Sequence, residues 1–172
     1  RFGVEVSFVT GDSVEDIEAA ITPETSLLYL ETPSSNVFSL QDIQAIASIA
    51  KARDIPTVLD NSWATPMFQN PLVLGVDVVV HSASKYLGGH SDLIGGVAVG
   101  GQETIVSIGN QERSTLGSIM GPQDSWLLIR SLRTLPIRMK QHQHSAMAVA
   151  RFLESHKKVE RVLYPGLESH PQ

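Results

Sequence analysis

Short apolar runs alternate with helical stripes along the first half of the chain, and this alternation constrains the fold more than any other feature. Candidate strands lie at 26–30, 56–59 and 76–80. Between the first two of them, the segment 40–52 has apolar residues at the spacing of a helix face. Strands that alternate with helices form parallel sheets with right-handed crossovers. The sequence therefore predicts an α/β protein with a mostly parallel sheet and flanking helices.

Further elements are predicted on either side of these. Apolar residues at 4, 6, 8 and 9 favour a first strand, and Asp12 or Ser13 can cap a short helix after it. A strand is expected over 94–99 and a helix over 102–111. A long helix is expected from 123 towards 155, in which Pro136 should produce a kink.

The candidate strand at 76–80 ends in the stretch HSASKYLGGHSD, residues 81–92. Ser82, Ser84 and Lys85 therefore follow a buried strand directly, at the edge of the sheet where α/β proteins bind ligands. Lys85 stands between Ser84 and Tyr86 and not among other charges, which indicates a reactive amine. Asp60 leaves the neighbouring candidate strand in the same way.

These residue types match the needs of pyridoxal phosphate. Its aldehyde and its phosphate arm are neighbours on the pyridine ring, so one short loop can supply both an amine and hydroxyls. The ring nitrogen lies opposite the aldehyde and has to be reached from another strand end. A carboxylate there, such as Asp60, raises the pKa of the ring nitrogen by about 1–3 pH units, which keeps the ring an electron sink.

Two motifs carry a family resemblance, namely DNSW at 60–63 and the stretch at 81–92, with support from ETPS at 31–34 and LRTLPIR at 132–138. On these residues the chain strongly resembles the Cys/Met-metabolism pyridoxal-phosphate enzymes, which include cystathionine β-lyases, γ-synthases and γ-lyases. The resemblance covers essentially the whole chain, and its pattern S-x-[ST]-K-Y-x-x-G-H-S-D is specific.

The resemblance implies the large domain of a fold-type-I, aspartate-aminotransferase-like transferase, here incomplete. It implies that Lys85 forms the Schiff base with the cofactor and that Asp60 pairs with the pyridine nitrogen. Ser82 and Ser84 match the phosphate-binding hydroxyls. Many members have Asn beside the phenolic oxygen at the fifth position of an E-[ST]-P-[ST]-N-P loop. That position is Ser35 here, which we take as cofactor-binding, and Asn36 follows it.

The implied activity is that of a carbon–sulfur lyase acting on cystathionine or a related thioether. Lys85, once displaced by the substrate amine, would remove the Cα proton, and a β-elimination would give pyruvate and ammonia. Ser35 and Trp63 resemble the β-lyase side of the family, but the residues leave β and γ chemistry open, including γ-synthase and γ-lyase reactions. A homo-oligomer, a dimer of dimers, is also implied.

We expect three segments, a cofactor-binding core at 1–121, a bridging helix at 122–157 and the start of a small C-terminal domain at 158–172. The family's ring-stacking Tyr, Gly-rich phosphate loop, partner-subunit Tyr and Arg, and carboxylate-binding Arg have no counterpart here. We therefore expect a fragment of a longer enzyme. A catalytically incomplete module that forms a subunit interface is the alternative from another class, and a nucleotide-binding doubly wound domain is a weaker third.

Composition and charge exclude several other classes. The net charge of −5 argues against nucleic acid or anionic membranes as partners. The lack of Cys excludes disulfides and fits a reducing compartment, so we expect a cytoplasmic protein. His81, His90 and Asp92 could suggest a metal site, as could His142 and His144. Neither group offers three ligands at credible spacing, so we predict structural histidines and no metal site.

Overall fold

A four-stranded sheet lies at the centre of the computed structural model, which describes residues 3–117 and 119–172. The strands lie in the order β1-β2-β3-β4. The first three pair in parallel and β4 pairs antiparallel with β3. Their bounds are β1 Leu28–Glu31, β2 Thr57–Asp60, β3 Val78–Ser82 and β4 Gly96–Gly100. The predicted α/β class with a mostly parallel sheet is therefore confirmed.

Helices flank the sheet and follow it along the chain. Their bounds are α1 Val14–Ala20, α2 Ile43–Ala52, α3 Thr65–Phe68, α4 Gln102–Asn110, α5 Glu112–Leu116, α6 Pro122–Leu132 and α7 Leu135–Glu154, with a 3₁₀ turn at Pro71–Leu74. Ser13, one of the two predicted caps, accepts a hydrogen bond from the Asp16 amide, and Asp42 caps α2 in the same way. Within the described residues, no helix is both long and apolar enough to span a membrane.

One face of the sheet packs against α1 and α2. The buried residues of this core are Ile17, Leu30, Ile43, Ile46, Ala47, Leu59, Val76 and Val79. Leu30, Leu59 and Val79 are register partners across the three parallel strands. Because side chains alternate along a strand, Glu31, Asp60 and Val80 project from the opposite face. The polar strand ends therefore lie on the face that α2 does not cover.

A second core holds the segment after β3 against α6 and α7. Its buried residues are Ala83, Leu87, Leu93, Leu128, Leu135 and Met139. Two of these, Ala83 and Leu87, flank Lys85 in the sequence. The backbone that carries Lys85 is therefore anchored on both sides by apolar packing.

The structure corrects two predicted elements. The strand predicted over 4–9 is wrong, since Val4, Val6 and Phe8 lie in irregular backbone and are 73%, 67% and 92% exposed. A strand forms only with a hydrogen-bonded neighbour, and no described strand pairs with this segment. The single long helix is also wrong. Helix α6 ends at Leu132, four residues before Pro136, whose ring clashes with the carbonyl at that position, so two helices replace one kinked helix.

Candidate active site

Asp60 and Ser82 lie on the same face of the sheet, at the carboxyl ends of adjacent strands. Asp60 is the register partner of Val80, and Ser82 follows two residues later on β3. Both residues are half-buried. The phenol of Tyr29 lies on this face too, and its pKa is raised by burial and by the negative charges of Asp60 and Glu31. Two strands thus direct polar groups to one side of the sheet edge.

Lys85 lies in a tight turn just beyond β3, which we call the lysine turn and define as residues 82–89. The Lys85 amide donates to the Ser82 carbonyl at 3.1 Å, and the Gly89 amide donates to the Lys85 carbonyl at 2.7 Å. The Gly88 amide donates to the Ala83 carbonyl at 2.7 Å. A Cβ at Gly88 would lie 2.8 Å from that carbonyl oxygen, so the turn requires glycine there. The Lys85 side chain itself is exposed.

Three functional groups at this edge are available for a ligand. The Ser62 amide donates to Asp60 Oδ1 at 2.8 Å. Within residues 3–117 and 119–172, Asp60 Oδ2, Ser82 Oγ and Lys85 Nζ have no hydrogen-bond partner. A carboxylate oxygen suits a protonated ring nitrogen, a hydroxyl suits a phosphate, and an amine suits an aldehyde. These three polar groups therefore fit pyridoxal phosphate.

Ser84 and Ser35 are already engaged elsewhere. The Gly95 amide donates to Ser84 Oγ at 3.0 Å, so Ser84 ties the lysine turn to the segment before β4. The amide and the hydroxyl of Ser35 both donate to Glu31 Oε1 in an exposed loop. The structure therefore brings Asp60, Ser82 and the lysine turn together and leaves Ser35 in contact with Glu31 instead. The cofactor-binding roles of Ser84 and Ser35 stay predictions.

A row of aromatic rings connects the loops at this edge. Phe38 and Trp63 have ring centroids 4.8 Å apart, Trp63 and Tyr86 6.0 Å, and Tyr86 and His142 5.3 Å. The row therefore links the loops that follow β1, β2 and β3 to helix α7. Burial and the neighbouring Tyr164 phenol raise the pKa of Tyr86. The Tyr86 ring, next to Lys85 in the sequence, therefore lies between the loop after β2 and helix α7.

A buried polar network fixes the loop after Asp60. The Asn61 side-chain amide donates to the Gln69 carbonyl at 3.0 Å, and Gln69 Nε2 donates to Asn61 Oδ1 and to the Thr32 carbonyl, both at 2.9 Å. Asn61 is 1% exposed. Thr65, also fully buried, has a φ of 58°, which is strained for a β-branched residue. The sequence signals only the position of Asn61 after a strand and not these partners.

Replacing Asn61 should therefore destabilise the fold. In Asn61→Ala, Gln69 Nε2 loses one acceptor and the carbonyl of the half-buried Gln69 loses its donor. Since unsatisfied buried polar groups cost about 1–3 kcal/mol each, we expect a decrease of about 2 kcal/mol or more in the free energy of unfolding. Urea denaturation measures it. Exposed Asn70→Ala is the matched control and should stay within about 0.5 kcal/mol of the parent. Equal effects of the two variants would contradict the network's role.

His81 is buried beside this site without serving it. It projects from the face opposite Asp60, is 7% exposed, and its Nδ1 is buried without a partner. Burial lowers the pKa of His81 below 6.5, although the negative charge of Asp60 opposes this. No group of three or more His, Cys, Asp or Glu side chains that could hold a metal occurs in the described residues.

The pKa of His81 predicts a pH dependence of stability. The unfolded chain binds this proton more readily than the folded one, so stability is lost as pH falls below about 6.5. One proton contributes a slope of at most about 1.4 kcal/mol per pH unit. We expect His81→Leu to reduce this acid-side slope in urea titrations between about pH 7 and 5, while exposed His144→Leu leaves it unchanged. An unchanged slope in His81→Leu would show that His81 does not carry the effect.

Comparison with known proteins places this site in a family. The model of the Cys/Met metabolism PLP-dependent enzymes matches residues 1–172. The chain is 47% identical to cystathionine beta-lyase of Coxiella burnetii over 171 residues, 99% of this chain and 44% of that protein. It is 43% identical to cystathionine gamma-lyase of Bacillus subtilis, over 99% of this chain and 45% of that protein.

A solved structure agrees with the sequence relatives. Cystathionine gamma-lyase from Lactobacillus plantarum, complexed with L-serine, superposes with a TM-score of 0.92 at 44% identity, covering 96% of this chain and 43% of that one. The chain thus spans less than half the length of the relatives it matches. The predicted fold class, family and cofactor are confirmed. The chain belongs to the Cys/Met metabolism family of pyridoxal-phosphate-dependent enzymes.

Proposed function

We propose that the protein carrying this chain is a carbon–sulfur lyase that cleaves cystathionine or a related thioether amino acid. The observation that carries the proposal is the placement of Asp60 and Ser82 at adjacent strand ends on one face, with Lys85 in the turn that follows. All three offer uncommitted groups to a ligand within the described part of the chain. In a chain of this family, such a set suits a site for the cofactor and the substrate amine.

Each residue would have a distinct role in holding the cofactor. Asp60 would pair with the ring nitrogen, Ser82 and Ser84 would bind the phosphate, and Lys85 would attach the aldehyde. When bound, pyridoxal phosphate supplies a carbonyl for amines and a ring that withdraws electron density from the substrate Cα. The half-buried position of Asp60 strengthens its interaction with a cationic ring relative to bulk water.

Lys85 would perform the proton transfers of the reaction. Its Nζ has to be a neutral amine when it takes the Cα proton, and it has to lie within hydrogen-bond reach of that proton. The lysine turn restricts its position through three backbone hydrogen bonds. With the Cα proton taken by Lys85, the β-sulfur would depart as a thiolate, and the three-carbon remainder would be hydrolysed to pyruvate and ammonia.

A γ-lyase is the second candidate. Relatives named cystathionine gamma-lyase are 43% and 46% identical to the chain, and relatives named cystathionine beta-lyase are 44% and 47% identical. Identity therefore does not separate the two reactions. The γ reaction needs a second proton transfer, from Cβ, so that the bond between sulfur and Cγ breaks, one carbon further from Cα than in the β reaction.

The products from cystathionine distinguish the candidates. With the full-length protein, pyridoxal phosphate and cystathionine, we expect pyruvate as the main oxo acid. A predominance of 2-oxobutyrate would establish the γ-lyase instead. If cofactor binds and neither oxo acid forms, the protein is not a lyase of cystathionine, and the alternative of a catalytically incomplete cofactor-binding module is favoured.

We also propose that the whole protein is a cytoplasmic homo-oligomer, a dimer of dimers, without nucleic acid or membrane partners. Exposed apolar residues on α6, Trp126 at 56% and Ile129 at 61%, support a subunit contact there, and the net charge of −5 disfavours nucleic acid. The proposed division at 121 and 157 is supported by the start of α6 at Pro122 and the end of α7 at Glu154. Sedimentation of the full-length protein tests the assembly.

A further inference from the structure

We propose that Arg138 is a positioning residue that sets the lysine turn, and thereby Lys85, from the first turns of helix α7. The inference rests on the proposed role of Lys85 as the reacting amine. It assigns to a residue outside the cofactor-binding set the task of fixing where that amine lies.

The guanidinium of Arg138 donates to two backbone carbonyls and one side-chain hydroxyl. Its Nη1 donates to the Tyr86 carbonyl at 2.6 Å, and its Nη2 donates to the Ser131 carbonyl at 3.0 Å. Its Nε donates to Thr134 Oγ1 at 3.1 Å. The side chain therefore joins the peptide that follows Tyr86, one residue beyond Lys85, to the end of α6 and to the break between α6 and α7.

Gly89 makes room for this guanidinium. A Cβ at Gly89 would overlap the Nη1 and Cζ atoms of Arg138, and Gly89 has a φ of 76°, in the left-handed region. The Gly89 amide also donates to the Lys85 carbonyl, which closes the turn. Glycine at this position and arginine at 138 are therefore spatially matched across the turn.

The charge of Arg138 is not used in an ion pair. Among the described residues the salt bridge joins Arg53 and Glu18, and the acceptors of Arg138 are neutral oxygens. The side chain is half-buried, and burial lowers its pKa. A planar fork that satisfies three acceptors at once is geometry that a lysine ammonium does not reproduce. Arg138 therefore acts by positioning the backbone through hydrogen bonds and not by pairing its charge with a carboxylate.

Arg138 affects the position of Lys85 because it binds the backbone just C-terminal to that residue. The bond to the Tyr86 carbonyl fixes the peptide plane immediately after the Tyr86 Cα, one residue beyond Lys85. A displacement of about 1 Å in a reacting group lowers rates by about a hundredfold. Loosening this bond should thus slow proton transfer at Cα more than it weakens substrate binding.

The test compares two variants of the full-length protein, Arg138→Ala and the more conservative Arg138→Lys. The control is Arg151→Ala, since Arg151 is exposed near the end of α7. Two readouts are measured. One is amide exchange of Gly88 and Gly89 in the protein without cofactor. The other is kcat, KM and the isotope effect with Cα-deuterated cystathionine in the loaded enzyme. The exchange readout needs no lyase activity, so its failure is distinct from a failure of the proposed function.

We expect both Arg138 variants to exchange these two amides faster by about tenfold or more. We expect kcat to fall by about tenfold to a hundredfold while KM stays nearly constant, and the isotope effect to increase. The decrease in kcat should be smaller in Arg138→Lys than in Arg138→Ala. Arg151→Ala should match the parent. Unchanged exchange, or a rise in KM at constant kcat, would overturn the proposal.

A double variant probes the match to Gly89 directly. Gly89→Ala should slow kcat strongly in the parent, because the new Cβ displaces the guanidinium. In the Arg138→Ala background, the decrease in kcat caused by Gly89→Ala should be smaller by at least about fivefold, because only the backbone strain remains. Additive effects of the two changes would contradict a direct contact between the two positions.

Discussion

Lys85→Ala should abolish lyase activity and covalent cofactor attachment together. The variant loses the amine that attaches the cofactor and takes the Cα proton, and no other described lysine lies in the lysine turn. General base catalysis alone contributes about 10²- to 10⁴-fold, so we expect kcat to fall by about 10³-fold or more. The absorbance of bound cofactor and steady-state formation of oxo acid measure the two effects.

The control for this variant is Lys51→Ala, which removes an exposed lysine from α2 on the far face of the sheet. It should retain full activity. Thermal unfolding of Lys85→Ala should match that of the parent without cofactor, because the exposed side chain contributes little to packing. Activity within about tenfold of the parent would refute the role of Lys85.

Asp60→Asn should lower activity with little effect on the fold. The asparagine keeps the size of the side chain and the oxygen that accepts from the Ser62 amide, but it removes the negative charge. An adjacent carboxylate raises the pKa of a cationic group by about 1–3 pH units, so its loss reduces the protonated fraction of the ring by up to about 10³-fold. We expect kcat to fall by about a hundredfold or more.

The companion measurement is the pH dependence of activity. Because the ring is protonated less readily without Asp60, the loss in Asp60→Asn should shrink as pH is lowered. Exposed Asp12→Asn, which also removes one negative charge, is the matched control and should be neutral. A loss that is independent of pH would show that Asp60 acts through structure and not through its charge.

The sequence predicted the placement of Asp60 and Ser82 because it depends on local pattern. An apolar run that stops abruptly marks a strand end, and parallel strands bring their carboxyl ends to one edge. The face was decided by side-chain alternation, which places Leu59 and Val79 in the core and therefore Asp60 and Ser82 outside it. Such patterns depend on the alternation of side chains along a strand and not on contacts with residues distant in the sequence.

Features that depend on distant partners were not predictable in this way. The alternating apolar residues at 4–9 satisfy a strand pattern, but a strand also needs a neighbour, and none pairs with them in the described structure. Pro136 predicted a kink, but the position of the helix break depended on the clash with the carbonyl at Leu132. Ser35 was placed by motif position, and its hydroxyl is engaged by Glu31 instead.

The contacts of Arg138 also depend on residues distant in the sequence and were not predictable from it. Its bond to the Tyr86 carbonyl spans 52 positions of the chain, and the spacing of charges along a helix gives no sign of such a bond. From the sequence, Arg138 is simplest to interpret as part of a solvated or subunit-facing basic stripe. Only the packing of α7 against the lysine turn shows that the guanidinium points inwards.

The central claim is that Lys85 is the amine which joins the cofactor at this edge of the sheet. Reduction of the full-length protein with borohydride in the presence of pyridoxal phosphate, followed by mass mapping of its peptides, tests it most directly. We predict a single stoichiometric pyridoxyl adduct on the peptide that contains Lys85, and its loss in Lys85→Ala. An adduct on a different lysine, or none in a folded protein that binds the cofactor, would contradict the account.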